Sequence, residues 1–198
     1  MLHAGLQLVA ATCDPNLAIQ LGTTIRSNVF TLLCGTTSSR KTTAVDWTLR
    51  LLHGAGVEDY LLIDPASAEG VVRMLGEHPH GLIPIGEGGD WVKRSLGRSY
   101  LATMRENMVK LYDGGVLGHG VKQRKKSLPV VHSHTVSVLF ACTPQHLEDY
   151  TAKIEWDGGF MNRFMVVNAE RERNIDMPSV DPRGEAWLAE QLRVRFES

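Results

Sequence analysis

The chain has 198 residues, with 21 Lys and Arg against 22 Asp and Glu, for a formal net charge of −1. Hydrophobic residues make up 43% and charged residues 22%, which excludes a disordered or strongly charged chain and fits one globular domain over 1–198 that needs no staples. So balanced a charge carries no nucleic-acid signal of its own, and any basic footprint is local. The three cysteines, Cys13, Cys34 and Cys142, are odd in number, far apart and form no CxxC. They read as reduced thiols of a cytosolic protein, not as a disulfide scaffold or a thiolate zinc site. No apolar run approaches the ~18 residues of a membrane helix, and the first residues lack the basic start of a secretory leader. The expectation is a cytoplasmic chain with no membrane partner.

In chain order, Asp14-Pro15 predicts a helix start continuing through Leu21. Val29 to Cys34 is a β-branched and apolar run, a buried strand. A loop of small polar residues follows from Gly35 to Arg40. Thr42 to His53 then has helical spacing and ends at Gly54-Ala55-Gly56. Tyr60 to Ile63 predicts a second strand, Ser67 to Leu75 a helix, and Gly81 to Ile85 a third strand, although Pro84 lacks a ladder donor. Asp90 to Tyr112 is mostly helical in pattern. Gly114 to Ser127 is glycine-rich, then basic, and reads as a hairpin or excursion. Val130 to Cys142 is the longest strand signal. Pro144 starts a helix, Arg163 to Val167 is a fifth strand, and a terminal helix lies at about 183–196. Five strands alternating with helices predict an α/β fold, a mostly parallel sheet flanked by helices.

The most informative stretch runs from Val29 to Thr43. Gly35, Lys41 and Thr42 hold three positions of G-x-x-x-x-G-K-[ST], between a strand and a helix. The chemistry needs each part. Backbone N–H groups of Gly35, Thr36, Thr37, Ser38, Ser39, Arg40, Lys41, Thr42 and Thr43 would surround a polyphosphate at the positive end of a helix. Lys41 would reach the outer phosphates, and the Thr42 hydroxyl would ligate Mg²⁺. Arg40 stands where the second glycine is expected. Without the flanking strand and helix, the same residues would read as a Ser/Thr-rich helix cap. Glu87, after the apolar run Leu82 to Ile85, falls at the carboxyl edge of the sheet, where ligands bind in open α/β folds. It is the candidate to activate a water; an ordinary loop glutamate is the plain alternative. Gly86 precedes it, and Asp64 is a weaker acidic candidate.

The order Gly-x4-Arg-Lys-Thr42, Ile-Gly-Glu87, Lys-Leu-Tyr-Asp-Gly114, Leu-Phe-Ala-Cys-Thr-Pro144 and Gly-Gly-Phe-Met-Asn-Arg-Phe164 resembles the primase/helicase-associated P-loop ATPases of phages, plasmids and other mobile elements. The resemblance spans about residues 28–168. It implies a P-loop NTPase core of the RecA-like or AAA-like, additional-strand kind, with ATP and Mg²⁺ as cofactors. It also implies a polar sensor at Thr143 and an arginine at Arg163 that reads nucleotide state, in cis or across a subunit interface of a homo-oligomeric ring. Many such ATPases carry a magnesium-supporting aspartate where this chain has Gly86. Thr143-Pro144 is equally a helix N-cap, and Arg163 equally an ion-pair partner.

Between Gly114 and Leu147 there is no acid, and Lys122, Arg124, Lys125 and Lys126 put four cations into five residues. This reads either as a basic loop touching the backbone of single-stranded DNA or as a solvated charge run. The histidines, including His132 and His134, form no ligand signature, and no G-x-S-x-G elbow occurs. Trp47, Trp91, Trp156 and Trp187 read as packing anchors. The expected function is ATP binding and hydrolysis, helicase-like or replication-associated. The alternatives are a small-molecule kinase using Arg94, Arg98 and Arg105, and a non-catalytic nucleotide- or DNA-binding module.

Overall fold

The computed structural model describes residues 5, 10, 17–62, 68–86, 99–118, 129–132, 134–150, 159–168 and 181–196. Its elements are β1 Ala18–Leu21, β2 Thr23–Arg26, β3 Phe30–Cys34, α1 Lys41–Gly54, α2 Ala68–Glu77, β4 His80–Ile85, α3 Ser99–Asp113, β5 Thr135–Cys142, α4 Pro144–Tyr150, β6 Phe164–Asn168 and α5 Pro182–Phe196. Short 3₁₀ turns cover Glu58–Tyr60 and Met161–Arg163.

Four strands form one sheet in the order β4-β5-β3-β6, and every neighbouring pair is parallel. The strands are rich in Val, Leu, Ile and Phe because both faces are covered. All eight residues of β5 and all five of β3 are buried. Side chains alternate between the two faces. Leu32, Val136, Val138 and Phe140 face a core shared with Val71, Val72 and Leu75 of α2 and Met104, Met108 and Leu111 of α3. Leu33, Leu139 and Ala141 face the other core, with Val45, Leu51 and Leu52 of α1 and Ala189 of α5. Helices therefore lie on both faces of the sheet.

The sheet corrects three sequence expectations. Tyr60 to Ile63 does not make a full strand among the described residues. Tyr60 closes a 3₁₀ turn, and Leu61 makes one parallel bridge to Leu82, so the described sheet has four strands, not five. The helix expected through Leu21 is instead a hairpin. Ala18–Leu21 pairs antiparallel with Thr23–Arg26 around Gly22, whose φ of 79° is open to glycine at no steric cost. The alternation of Ile19, Leu21 and Ile25 with Gln20 and Thr24 outweighs the proline cue at Asp14-Pro15, which lies outside the described residues. The long run from Val130 is also divided. Val131 bridges Leu117, and the strand proper begins at Thr135. No helix among the described residues is long and apolar enough to cross a membrane.

Candidate phosphate-binding site

β3 ends at Cys34 and α1 begins at Lys41. The six residues between them turn back over the carboxyl edge of the sheet. The turn is tied at its start, where buried Gly35 donates its N–H to Cys142 O of β5 at 3.2 Å. Ser39 N–H donates to Thr36 O at 3.1 Å and closes the middle. Lys41 ties the far end: its Nζ donates to Gly35 O at 2.7 Å, to Thr36 O at 2.9 Å and to Ser39 Oγ at 3.3 Å. An ammonium has three protons, and here each has an acceptor within the loop. The lysine thus braces the turn in a closed ring around its own side chain.

Two residues in this loop have left-handed backbones, Ser38 at φ 72° and Arg40 at φ 61°. Arg40 is also the residue capping α1, without a side-chain cap bond, and the first turn of α1 holds no acid. The positive end of the helix is therefore not offset by a carboxylate of its own. The first N–H groups of a helix have no intrahelical partner, and alternating left-handed residues turn successive N–H groups into a concave, anion-binding surface. Thr36, Thr37, Ser38, Arg40, Thr42 and Thr43 are exposed around it. The left-handed conformation explains why glycine is expected at position 40: it is the conformation glycine adopts freely.

Thr143 follows Cys142, the partner of Gly35, and so stands beside the start of the loop. Its Oγ1 accepts the His146 N–H at 3.3 Å, and its carbonyl accepts Leu147 N–H at 3.0 Å. It therefore caps α4 at the same edge as the turn from Gly35 to Arg40. Gly86, just beyond β4, reaches the same place: a Cβ there would lie 3.8 Å from Thr42 Cγ2. Glu87 itself, Asp64, the basic residues Lys122, Arg124, Lys125 and Lys126, and Trp91 and Trp156 lie outside the described residues.

Arg163 is not brought to the loop, and the reading of it as an arginine acting in cis is corrected. It precedes Phe164, which pairs with Phe30, whereas the loop follows Cys34 at the opposite end of β3. Five residues at about 3.3 Å each set the two edges about 17 Å apart. The side chain is also engaged. Its Nε and Nη2 donate to the Asp113 carboxylate at 3.0 and 2.6 Å, and its Nη1 donates to Gly159 O at 2.6 Å. Tyr112 lies beneath it, 6.0 Å from the guanidinium carbon to the ring centroid. A cleft of about 250 Å³ lined by Asn28, Tyr112, Asn162 and Arg163 opens at this amino edge, away from the turn between Gly35 and Arg40.

Two features escaped the sequence reading. Cys34 and Cys142 are directly paired across β3 and β5, under the loop. Burial first, and then the neighbouring Cys34, push the Cys142 thiol up to about 12, so at neutral pH it stays protonated and is no nucleophile. At the amino edge His134 is fully buried, with Nε2 2.8 Å from Gly115 O. Burial chiefly, opposed by the Gly115 hydrogen bond and helped by the nearby Arg26, lowers its pKa below 6.5. Only the pairing of distant segments creates either environment, so single-residue patterns cannot signal them.

No family model matches the chain, and no curated protein or solved structure matches it either.

Proposed function

We propose that this chain binds the polyphosphate of a nucleoside triphosphate, ATP in the first instance, in the loop from Gly35 to Thr43, and hydrolyses it. The observation that supports this best is the brace of Lys41 onto Gly35 O and Thr36 O. It holds the strand–loop–helix turn in shape above the N-terminus of α1, and Lys41 would exchange one of its three loop acceptors for a phosphate oxygen on binding. The strand order adds support. β5 stands between the loop strand β3 and β4, the strand leading to Gly86 and Glu87, as the additional-strand arrangement of P-loop ATPases would have it. Gly86 lies near Thr42, and Glu87, the next residue in the sequence, is the one we assign to activate a water for attack on the terminal phosphoryl group.

The described residues do not fit a magnesium site well. Thr42 offers a hydroxyl, but Gly86 offers no carboxylate beside it. Coupling to DNA in a replication-associated role is the extension that the order of the five sequence blocks favours.

Phosphate release from ATP, measured with and without single-stranded DNA, tests the reading. Release stimulated by DNA is expected. Release only with a small acceptor would make the chain a kinase, and tight binding without release would make it a non-catalytic nucleotide module.

A further inference from the structure

We infer that the cleft at the amino edge of the sheet is a second ligand site, which takes a single nucleobase presented by a free nucleoside or by an unpaired strand of nucleic acid. The inference does not depend on the turn from Gly35 to Arg40 holding a phosphate. The cleft opens where β3 and β6 begin side by side, with Phe30 in register with Phe164. Its walls include Asn28, Phe30, Tyr112, Asn162, Arg163 and Met165.

Size and charge narrow the ligand. At about 250 Å³ the cleft falls below the ~300–1,000 Å³ of pockets that enclose drug-sized molecules. It has room for one flat ring system, with whatever the ring is attached to left outside. Among the described residues that line it, Arg163 alone is charged, and Asp113 takes two of its N–H groups at 3.0 and 2.6 Å. That carboxylate offsets the guanidinium charge, so an anion gains little here, and a cation would face the guanidinium. A neutral, planar and polar ligand suits such a wall.

Hydrogen-bonding capacity and stacking surface then point to a base. Asn28 Nδ2 donates to Tyr112 O at 3.1 Å. A carbonyl only accepts, so the orientation of this amide is settled, and the Asn28 carboxamide keeps its oxygen and one N–H for a ligand. Arg163 has five N–H groups. Two are on Asp113 and one donates to Gly159 O at 2.6 Å, which leaves two. A carboxamide that both donates and accepts, with guanidinium donors beside it, suits the edge of a base, which carries both kinds of group. The half-exposed Tyr112 ring stands at 75° to the Phe30 ring, with centroids 5.1 Å apart, so its plane is fixed before a ligand arrives. The Arg163 guanidinium carbon lies 6.0 Å from the Tyr112 centroid. Aromatic rings and guanidinium planes are the surfaces on which unpaired bases stack. Met165, also half-exposed, adds a polarisable apolar wall.

The test is NMR titration of the isotope-labelled full chain with adenosine, guanosine, cytidine and thymidine, and with a short single-stranded DNA. Nucleosides carry no phosphate, so their binding reports on the cleft and not on the turn. Shifts are expected at the amides around Asn28, Tyr112 and Arg163. Asn28→Ala and Tyr112→Leu should each weaken binding by about tenfold, and Asn28→Ala should narrow the differences among the four nucleosides. Lys41→Ala should bind nucleosides as the wild type does. Tighter binding of the strand than of the nucleosides would make nucleic acid the source of the base, equal or weaker binding would make it the free nucleoside, and either result supports the site. No shift with any nucleoside or with the strand, an Asn28→Ala protein that binds as the wild type does, or shifts centred on Gly35 to Thr43 that vanish in Lys41→Ala would each overturn the inference. Should Tyr112→Leu not fold, Asn28→Ala decides, because the bond it removes is exposed.

Discussion

Ser38 shows how closely the loop is fitted to a task that serine does not suit. Its φ of 72° is left-handed, and the side chain is exposed, so no core contact rewards the conformation. Ser38→Gly should therefore stabilise the fold by about 0.5–1 kcal/mol, the relief of the left-handed cost less the extra entropy of an unfolded glycine. A urea melt would read this as a higher midpoint with an unchanged slope, and an unchanged or lower midpoint would mean that the loop is not held in this conformation in solution. His134 makes a second test at this scale. Its pKa is lowered in the folded state, chiefly by burial, so below about 6.5 the unfolded chain takes up a proton that the folded chain resists. Stability is then complete above that pH and falls as pH drops below it. Urea midpoints at pH 7.5 and 5.5 should differ in that sense, and His134→Gln should flatten the difference even though it lowers both values. A wild-type midpoint independent of pH over this range would remove His134 from the account.

At the scale of elements, position depends on close backbone approaches. β4 enters the sheet at Gly81, where a Cβ would lie 2.5 Å from the backbone oxygen of Tyr60. That oxygen belongs to the turn preceding the Leu61–Leu82 bridge, so neither chain can yield without moving the other. Gly81→Ala should cost about 1–3 kcal/mol, and because β4 carries Gly86 to Thr42 it should weaken ATP binding as well. A thermal melt paired with a binding titration checks both, and an alanine variant as stable as wild type would show that the two segments are not in contact. Most helices and the inner strands were legible in sequence because their signals are local: the apolar run before Gly35, the 3.6-residue spacing after Lys41, the long β-branched run into Cys142. The hairpin at Gly22 was not, since a proline cue upstream competed with a short alternation. The fate of Tyr60 to Ile63 depended on which strand lay beside it, and that is a tertiary fact. The turn from Gly35 to Arg40 between a strand and a helix was legible because its residues are consecutive. The environments of Arg163, His134 and the two paired cysteines were not, because each is made by segments far apart in the chain.

Across the molecule, the parallel sheet separates two polar edges. The carboxyl edge gathers Gly35, Lys41, Thr42, Gly86 and Thr143, and the amino edge gathers Arg163, Asp113, Tyr112 and His134. Between them Phe30, Phe140, Phe160 and Phe164 form an aromatic cluster with ring centroids 5.2–5.3 Å apart. Phe164 follows Arg163 directly, and its ring contacts on three sides fix where the arginine emerges. The guanidinium is then held by the two bonds to Asp113, with the arginine side chain 23% and the aspartate 47% exposed. That half-exposed pair is partly screened, so its contribution is modest, about 1 kcal/mol. Arg163→Ala should accordingly lower stability by about that amount while leaving the affinity of the isolated chain for ATP within about twofold of wild type, since the loop is about 17 Å away along the strand. Lys41→Ala should instead abolish most nucleotide affinity, and the loss of its three bonds to the loop should also lower stability by about 1 kcal/mol, since Lys41 is half-buried. Titrating both variants at concentrations where native mass shows a monomer makes the comparison clean. A large loss of ATP affinity in monomeric R163A would mean that the amino edge communicates with the loop through the sheet, and the separation of the two edges described by the register would then be a separation in distance but not in function.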